Sequence, residues 1–244
     1  MQVPRAAATV MLLREGERGC GFEVYMARRS ARSRFSPEMY VFPGGAVDAA
    51  DGSQQAFARL NGRPATVGAE FAVAALRELF EEAGVLIACD PDGHQAGFAE
   101  PEKLTALRAE VAQGAALLEL LAREDLLLDA RELHHYSNWV TPSSEPLRFD
   151  THFFVARAPH DQVAVADAFE LHDGLWIDPK EALASADRGE FALMFPTRKH
   201  IERLAAFDRL EAMLAHASSR RIVSVEPFRS ADGGIEIPAE AVEW

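Results

Sequence analysis

Three glutamates, Glu78, Glu81 and Glu82, stand at positions i, i+3 and i+4 of a segment with a helical apolar pattern. Residues at this spacing share one face of a helix, where like charges weaken the helix by about 0.2–0.5 kcal/mol per pair. A hard divalent cation such as Mg²⁺ would offset this repulsion, because it takes carboxylate oxygens as ligands and shares them with water and substrate phosphate. The spacing therefore indicates either a Mg²⁺ site or an ordinary solvated acidic face.

The surrounding residues favour the metal site. Pro43-Gly44-Gly45 follows a short apolar run upstream, and glycine at such a position lets the backbone approach a helix or an ion closely. Arg77 precedes Glu81 by one helical turn, so we expect the two side chains to pair and to fix the rotamer of the carboxylate. An ordinary surface ion pair is the alternative interpretation of this arginine.

The combined pattern resembles the box of the Nudix hydrolases, Gly-x5-Glu-x7-Arg-Glu-U-x-Glu-Glu-x-Gly-U, where U is an aliphatic residue. The second half of the box matches position by position, at Arg77, Glu78, Leu79, Glu81, Glu82, Gly84 and Val85. The first half is interrupted, because a box that starts at Gly45 would place the arginine at position 59, which is 18 residues before Arg77. The glutamate in the middle of the box would stand at position 69, which is Ala69, so the role of the neighbouring Glu70 is open.

The resemblance implies an α/β fold, specifically an α/β/α sandwich with a mixed central sheet elaborated by inserted helices. It also implies hydrolysis of a nucleoside diphosphate linked to another moiety. Two or three Mg²⁺ ions, with Mn²⁺ as a possible substitute, would be held by the Gly45 carbonyl and by Glu78, Glu81 and Glu82. Metal in such a site neutralises phosphate oxygens, orients water for in-line attack and stabilises the leaving phosphate.

A general base must also reach the attacking water. Glu81 is one candidate. Family members often take a further glutamate from a downstream loop, and Glu170, six residues before Trp176, resembles that position. Glu145 is a competing candidate, although two prolines bracket its loop and no neighbouring motif supports it.

Two arginines at predicted strand ends are candidates for binding substrate phosphate. Arg29 closes one strand just before the glycine pair, and Arg148 opens another. Either side chain, or the neighbouring Arg28, could bind a phosphate through two hydrogen bonds. A solvated arginine at a strand end is the ordinary alternative. The adjacent residues His134 and His135 are given no role, because neighbours on a strand face opposite sides.

The substrate class comes from the wider resemblance. Residues 148–154 and 176–179 resemble a branch of the family with the same insertion, and some members of that branch cleave coenzyme A and its thioesters. The expected partner is therefore a small-molecule nucleoside diphosphate derivative, and coenzyme A or an acyl derivative of it is the leading candidate substrate. Hydrolysis of a nucleotide sugar or a dinucleotide is a second possibility. A non-catalytic Nudix-fold module that binds a nucleotide or RNA is a third, although such a binder has no need for three aligned acids.

Composition agrees with a phosphate site that depends on metal. Lys and Arg total 25 against 38 Asp and Glu, a net charge of −13, which argues against a nucleic-acid partner with a generally basic interface. No window approaches the roughly 18 apolar residues of a membrane helix. Cys20 and Cys89 lack metal-type spacing and are expected to be free thiols in a reducing compartment. We expect a cytoplasmic protein with no membrane partner.

The elements that must position these groups follow from periodicity. We expect one domain over residues 1–244, with insertions at about 46–66 and 92–133. A helix should end at Gly84, two helices should occupy 101–133, one should begin at Pro179, and a long one should span 197–216. Exposed apolar positions on the inserted helices could form a homodimer face or cap the substrate cleft. The predicted strands cover residues 7–14, 22–29, 39–42, 85–87, 135–141, 151–158 and 175–177, with a terminal hairpin near 235–237, and Trp139, Phe153 and Phe154 are assigned to the core.

Overall fold

A computed structural model describes residues 3–16, 21–33, 36–98, 101–230 and 233–244. The strands in these ranges are β1 (Arg5–Glu15), β2 (Phe22–Arg29), β3 (Tyr40–Val41), β4 (Gly44–Ala46), β5 (Leu60–Asn61), β6 (Ala88–Cys89), β7 (Leu127–Asp129), β8 (His134–Val140), β9 (Phe149–Arg157), β10 (Leu171–Ile177), β11 (Ser224–Val225), β12 (Phe228–Arg229) and β13 (Ile235–Glu236). The α-helices are α1 (Gln54–Ala58), α2 (Ala69–Ala83), α3 (Pro101–Ala112), α4 (Leu117–Arg123), α5 (Pro179–Asp187), α6 (Phe195–Leu204) and α7 (Leu210–Ser219), and a 3-10 helix spans Ala239–Ala241.

Eight strands of the described chain form one mixed sheet. Its order is β10-β2-β1-β9-β8-β11, with β3 added to β2 and β4 added to β1. The pairs β1–β9 and β8–β11 are parallel, and the other neighbours are antiparallel. Two smaller sheets contain β5-β7-β6 and the hairpin β12-β13. The mixed α/β fold and the terminal hairpin are thus confirmed.

Helices cover both faces of the central sheet because its strands are apolar on both sides. Val10 and Leu12 of β1 belong to the apolar cluster that includes the buried side of α2. The alternate residues Met11 and Leu13 belong to a second cluster, which includes buried residues of α6 and α7. Successive side chains of a strand point to opposite faces, so β1 lies between two helical layers. This arrangement is the predicted α/β/α sandwich.

The helix α2 ends where the sequence predicts and carries the motif glutamates. It begins after Gly68 and ends at Gly84, which has a left-handed φ of 70° and donates its N–H to the Phe80 carbonyl at 2.9 Å. Phe71, which does not fit the apolar arc of the helix, packs against the imidazole of His152 with ring centroids 4.2 Å apart. The first turn of α2 therefore contacts β9.

Two predicted elements are wrong. Residues 85–87 do not form a strand, because the side-chain amide of Gln162 occupies both backbone groups of Leu86, donating to its carbonyl at 2.9 Å and accepting from its N–H at 2.8 Å. The long helix over 197–216 is broken into α6 and α7. At the break Arg209 is extended, with φ −140° and ψ 137°, and Phe207 packs against the ring of His216 at 5.1 Å.

The remaining expectations concern the core, the thiols and the membrane. Trp139, Phe153 and Phe154 are buried, as predicted. Cys89 is a buried free thiol whose Sγ accepts a hydrogen bond from Asn61 at 3.2 Å, whereas Cys20 lies outside the described residues. None of the helices in the described ranges combines the length and the apolar character needed to cross a bilayer.

Candidate active site

Two glutamates of α2, Glu78 and Glu82, lie directly against the glycine pair. Strand β4 pairs with β1, and this pairing brings Gly44 and Gly45 beside the last turns of α2. The Gly44 N–H donates to Glu82 Oε2 at 2.7 Å, and this carboxylate is buried, with 7% of the residue exposed. A Cβ atom on Gly45 would stand 2.4 Å from Glu78 Oε1, which is closer than real Cβ contacts come. A side chain at position 45 would therefore displace the Glu78 carboxylate from the position it holds here.

Arg77 is the centre of the charged network on α2. Its Nη1 donates to Glu78 Oε1 and to Glu81 Oε2, both at 2.9 Å. Its Nη2 donates to the Ala46 carbonyl at 3.0 Å. The pairing with Glu81 has the i to i+4 geometry expected from the sequence. The guanidinium thus holds two motif carboxylates against the end of β4.

Asp51 completes this network and was not identified from the sequence. Its carboxylate accepts from Arg77 Nε at 3.0 Å and from Nη2 at 2.9 Å, and the residue is only 1% exposed. Asp51 also accepts from the Asp48 N–H at 2.8 Å, which closes a tight turn. A buried arginine–carboxylate pair with two parallel hydrogen bonds fixes orientation as well as charge. No local pattern distinguishes Asp51 from Asp48 in the sequence.

The carboxylates resist ionisation when no cation is present. Burial raises the pKa of Glu78 to about 7, and the charges of Glu81 and Glu170 add to this effect against the opposing charge of Arg77. Burial, followed by the charge of Glu78, raises the pKa of Glu82 well above its usual value. Burial also raises the pKa of Glu81. Crowded, desolvated acids of this kind are typical of a functional site.

The charged form of Arg77 is stabilised by the acids around it. Burial lowers its pKa, but the hydrogen bond to Asp51 and the charges of Glu78 and Glu81 outweigh burial and raise it overall. One guanidinium cannot neutralise the whole acidic cluster. The set of hard oxygen donors from Glu78, Glu81 and Glu82 fits a divalent cation such as Mg²⁺, which supplies the missing positive charge.

The loop 158–170 brings Glu170 to the acidic cluster. The charge of Glu170 raises the pKa of both Glu78 and Glu82, so its carboxylate lies close enough to interact with theirs. Asp167 holds this end of the loop by accepting from the N–H groups of Glu170 at 3.1 Å and Leu171 at 2.8 Å. The Glu170 carbonyl accepts from the Ser30 N–H at 2.9 Å, which fixes the loop to the end of β2.

A cavity of about 190 Å³ lies between this loop and the end of β2. Arg29, one of the residues predicted to bind phosphate, lines this cavity. Its positive charge partly offsets the burial that raises the pKa of Glu82, so Arg29 lies near the acidic cluster. Arg32 and Phe169 also line the cavity and were not singled out from the sequence. The ring of Phe169 is conspicuous, because 81% of this large apolar residue is exposed.

Other predicted residues are engaged elsewhere. Arg148 donates from Nε to the Thr141 carbonyl and from Nη2 to Glu226, both at 2.9 Å, so its guanidinium is engaged by the residues that follow β8 and β11. Arg28 forms ion pairs with Glu38 at 3.2 Å and Asp173 at 2.7 Å.

Two glutamates that competed for a role lie apart from Glu78, Glu81 and Glu82. Glu145 is 3.4 Å from Arg229 of β12. Glu70 lies in the first turn of α2, about 12 Å along the axis from Glu78 at roughly 1.5 Å per residue.

The two adjacent histidines point apart, as their position on β8 predicts. His134 Nε2 lies 3.6 Å from Glu132. His135 is hydrogen-bonded through Nδ1 to Thr66 at 2.7 Å and through Nε2 to His152 at 2.9 Å. They do not form a joint metal site.

Comparison with known proteins agrees with this geometry. Residues 58–204 match the NUDT19 Nudix domain. A nudix hydrolase of Caenorhabditis elegans is 28% identical over 93% of this chain and 69% of its own length. The acyl-coenzyme A diphosphatase NUDT19 of Gallus gallus is 28% identical over 89% of this chain and 71% of its own length.

A solved structure extends the likeness to the whole fold. The crystal structure of a NUDIX hydrolase from Alicyclobacillus acidocaldarius has 31% sequence identity and a TM-score of 0.78, and the match covers 91% of this chain and 100% of that one. The range that matches the NUDT19 Nudix domain, residues 58–204, includes α2 with its glutamates, the loop 158–170 and the inserted helices α3 and α4. The chain therefore belongs to the NUDT19 Nudix domain family and is a Nudix-type pyrophosphohydrolase.

Proposed function

We propose that this enzyme hydrolyses the diphosphate linkage of coenzyme A or an acyl-coenzyme A in a Mg²⁺-dependent reaction. The observation that carries the proposal is the contact of Glu78 and Glu82 with the glycine pair, with Glu81 held beside them by Arg77, next to a cavity lined by arginine. The name of the Gallus gallus relative gives the substrate class for that protein and supports the same class here.

Glu78, Glu81 and Glu82, with the Gly45 carbonyl, would hold the metal. Bound Mg²⁺ supplies positive charge to the diphosphate oxygens and a polarised water. The protein's own contribution is to keep the ligands in place before the substrate arrives. Arg77 and Asp51 fix the rotamers of Glu78 and Glu81, and the Gly44 N–H fixes that of Glu82.

Glu170 is the better candidate for accepting the proton of the attacking water. One oxygen of Glu81 already accepts a hydrogen bond from Arg77 at 2.9 Å, so it is occupied by the guanidinium. The Glu170 carboxylate is exposed at the cavity, and its loop is anchored through backbone hydrogen bonds. A residue at this position can reach a water molecule close to the three metal-binding acids.

The cavity combines two kinds of binding surface. Arg29 and Arg32 offer positive charge to phosphate, and the exposed ring of Phe169 offers an apolar surface beside them. Coenzyme A carries both chemistries, since its nucleotide bears phosphate groups, and the dimethyl and methylene groups of its pantetheine, or the chain of an acyl derivative, offer apolar surface. This combination favours coenzyme A over a nucleotide sugar, whose second moiety is polar.

A substrate panel tests the proposal. The purified protein is incubated with coenzyme A, an acyl-coenzyme A, NADH, ADP-ribose and a diadenosine polyphosphate, in Mg²⁺, in Mn²⁺ and after chelation. We expect the highest kcat/KM with the coenzyme A compounds, release of a monophosphate product, and loss of turnover on chelation. A well-folded protein that turns over none of these compounds would instead be a binding module, and a preference for NADH or ADP-ribose would move the assignment to dinucleotides or nucleotide sugars.

Two variants of α2 test the site itself. Glu81→Gln should lower kcat by at least about 10²-fold if its charge acts in the transition state. The matched control is Glu70→Gln at the other end of the same helix, which should retain most of the activity. The reverse order would show that the insertion has moved the mid-box role of the family onto Glu70.

A further inference from the structure

Arg108 of the inserted helix α3 contacts the end of α2 that carries the metal-binding acids. Its Nη2 donates to the carbonyls of Glu81 at 3.0 Å and Glu82 at 2.9 Å, and its Nε donates to the Glu81 carbonyl at 3.3 Å. Its Nη1 donates to the Val165 carbonyl at 2.7 Å. One rigid guanidinium thus joins three carbonyls from two separate segments.

These contacts account for the carbonyl groups that a helix leaves unbonded at its C-terminus. The Phe80 carbonyl accepts from the Gly84 N–H, and the Ala83 carbonyl accepts from the Val165 N–H at 2.8 Å. The remaining two carbonyls, those of Glu81 and Glu82, are the ones that Arg108 binds. A positive charge at this end of a helix is also favourable for the helix dipole.

The second segment that Arg108 binds is the loop that carries Glu170. Val165 both donates to the end of α2 and accepts from Arg108, so the loop is tied to the helix twice at this residue. Two residues further on, Asp167 lies near Arg108 and holds the N–H of Glu170. The chain of contacts runs from the backbone of the acids, through Arg108, to the backbone that sets the position of Glu170.

We propose that Arg108 is a positioning residue that fixes Glu170 relative to Glu81 and Glu82 by joining the end of α2 to the loop 158–170. The proposal rests on the proposed function of those three glutamates. Arg108 touches no reacting atom in this assignment. It gives the inserted helix α3 a role in catalysis, since misplacing a catalytic group by a small distance is enough to slow a reaction strongly.

The test compares Arg108→Met and Arg108→Lys with Arg123→Met. Arg123 is a matched control, because it lies in the same insertion and its guanidinium binds Glu110 and Glu124 of that insertion. We expect Arg108→Met to lower kcat by about 10-fold or more, a typical effect of removing a supporting hydrogen bond around a metal site. KM should change less than kcat, Arg108→Lys should recover part of the loss, and Arg123→Met should behave as the wild type.

Two further readouts separate positioning from general loss of structure. Mn²⁺ binding, followed by electron paramagnetic resonance without substrate, should weaken in Arg108→Met by about 10-fold. In a double-mutant cycle, Arg108→Met should lower kcat much less when Glu170 is already replaced by Gln, because it then has no positioned base to disturb. Circular dichroism establishes that each variant is folded, and if the Met variant is not folded the same cycle is run with Arg108→Lys.

The proposal would be overturned if Arg108→Met lowered kcat by the same factor with and without Glu170→Gln. It would also be overturned if folded Arg108 variants had wild-type kcat and Mn²⁺ affinity. Failure of the proposed function looks different. In that case the wild type would not turn over the coenzyme A compounds, or Glu81→Gln and Glu170→Gln would turn them over as the wild type does, whatever the outcome at Arg108.

Discussion

Asp51 holds Arg77 through two parallel hydrogen bonds, of 3.0 Å from Nε and 2.9 Å from Nη2. Asp51 lies in the stretch between Gly45 and Arg77 that is longer than the family pattern. This stretch therefore supplies the buried acid that orients the arginine, and the arginine in turn orients Glu78 and Glu81.

Replacing Asp51 by Asn should weaken both the fold and the site. The Arg77 guanidinium keeps Glu78 and Glu81 as partners, so we expect the free energy of unfolding to fall by about 1–3 kcal/mol, less than the roughly 3–5 kcal/mol for a buried charge left unpaired. Denaturant unfolding measures this loss, and steady-state kinetics should show a lower kcat. Asp48→Asn is the control, because the side chain of Asp48 is exposed and 3.8 Å from Arg77. Equal effects of the two substitutions would contradict the orienting role of Asp51.

Gly45→Ala should disable the site while leaving the fold largely intact. The new Cβ would stand 2.4 Å from Glu78 Oε1 and 2.6 Å from its Cδ, so the carboxylate must move. We expect kcat to fall by about 10²-fold, the usual cost of displacing a catalytic group by about 1 Å. Gly97→Ala is the matched control, since no atom lies within 4 Å of its Cβ position. Wild-type kcat in Gly45→Ala would show that the close contact with Glu78 is dispensable.

The contribution of Glu78 to the stability of the chelated protein should fall as the pH rises from 6.5 to 8. The pKa of Glu78 is raised from 4.5 to about 7 in the folded state, so its protonated form favours folding, and this stabilisation is lost as the pH rises through 7. We expect this loss to be about 1 kcal/mol, equivalent to roughly 2–4 °C in Tm. Added Mg²⁺ should raise Tm more at pH 8 than at pH 6.5, because the cation competes with protons for the same oxygens.

Glu78→Gln provides the control for this pH dependence, since the variant has no carboxylate to titrate at that position. The variant should therefore lack the loss that Glu78 causes, so the difference in Tm between the chelated variant and the chelated wild type should change over this window. The buried histidines act in the opposite direction in both proteins, because burial lowers the pKa of His135 to about 4 and the protein gains stability as this residue loses its proton in the unfolded state. An identical dependence of Tm on pH in the two proteins would contradict the assignment.

The choice between Glu170 and Glu145 as general base is open to a kinetic test. We expect Glu170→Gln to lower kcat by about 10²-fold or more and to flatten the acidic limb of kcat against pH, because the group that must lose a proton is gone. Glu145→Gln should leave both unchanged, since Glu145 lies beside Arg229, apart from the other acids. A flattened profile in Glu145→Gln, with a normal profile in Glu170→Gln, would reverse the assignment.

The sequence was sufficient to predict the acidic helix and its surroundings where the information is local. The periodicity of α2 and its terminal Gly84 give the limits of the helix, and the spacing of the three glutamates gives their shared location. Periodicity alone, however, places Glu82 on the exposed side of the helix. Glu82 is buried because Gly44, which is 38 residues away in the chain, donates its N–H to the carboxylate. A contact of this kind depends on how β4 pairs with β1.

The residues that sequence reasoning missed act through long-range backbone contacts or loop paths. Arg108 looks like one of several charged residues on a weakly patterned helix, and only the fold shows that it binds the carbonyls of Glu81 and Glu82. Arg148 is the opposite case, because the sequence suggested a role for it in the site. Its position at the start of a strand suggested phosphate binding, whereas in the fold it joins Thr141 to Glu226. Spacing carries no information about which partner such a guanidinium reaches.

The contact between α3 and the end of α2 also limits how far this protein could be reduced to a minimal scaffold. Residues 92–133 resemble an appendage that could be trimmed without damage. Removing them would delete the donor for two carbonyls and expose the apolar side of α2 that packs against Leu104 and Leu107. A shortened enzyme would need a replacement cap at the end of its catalytic helix before any redesign of its substrate cleft.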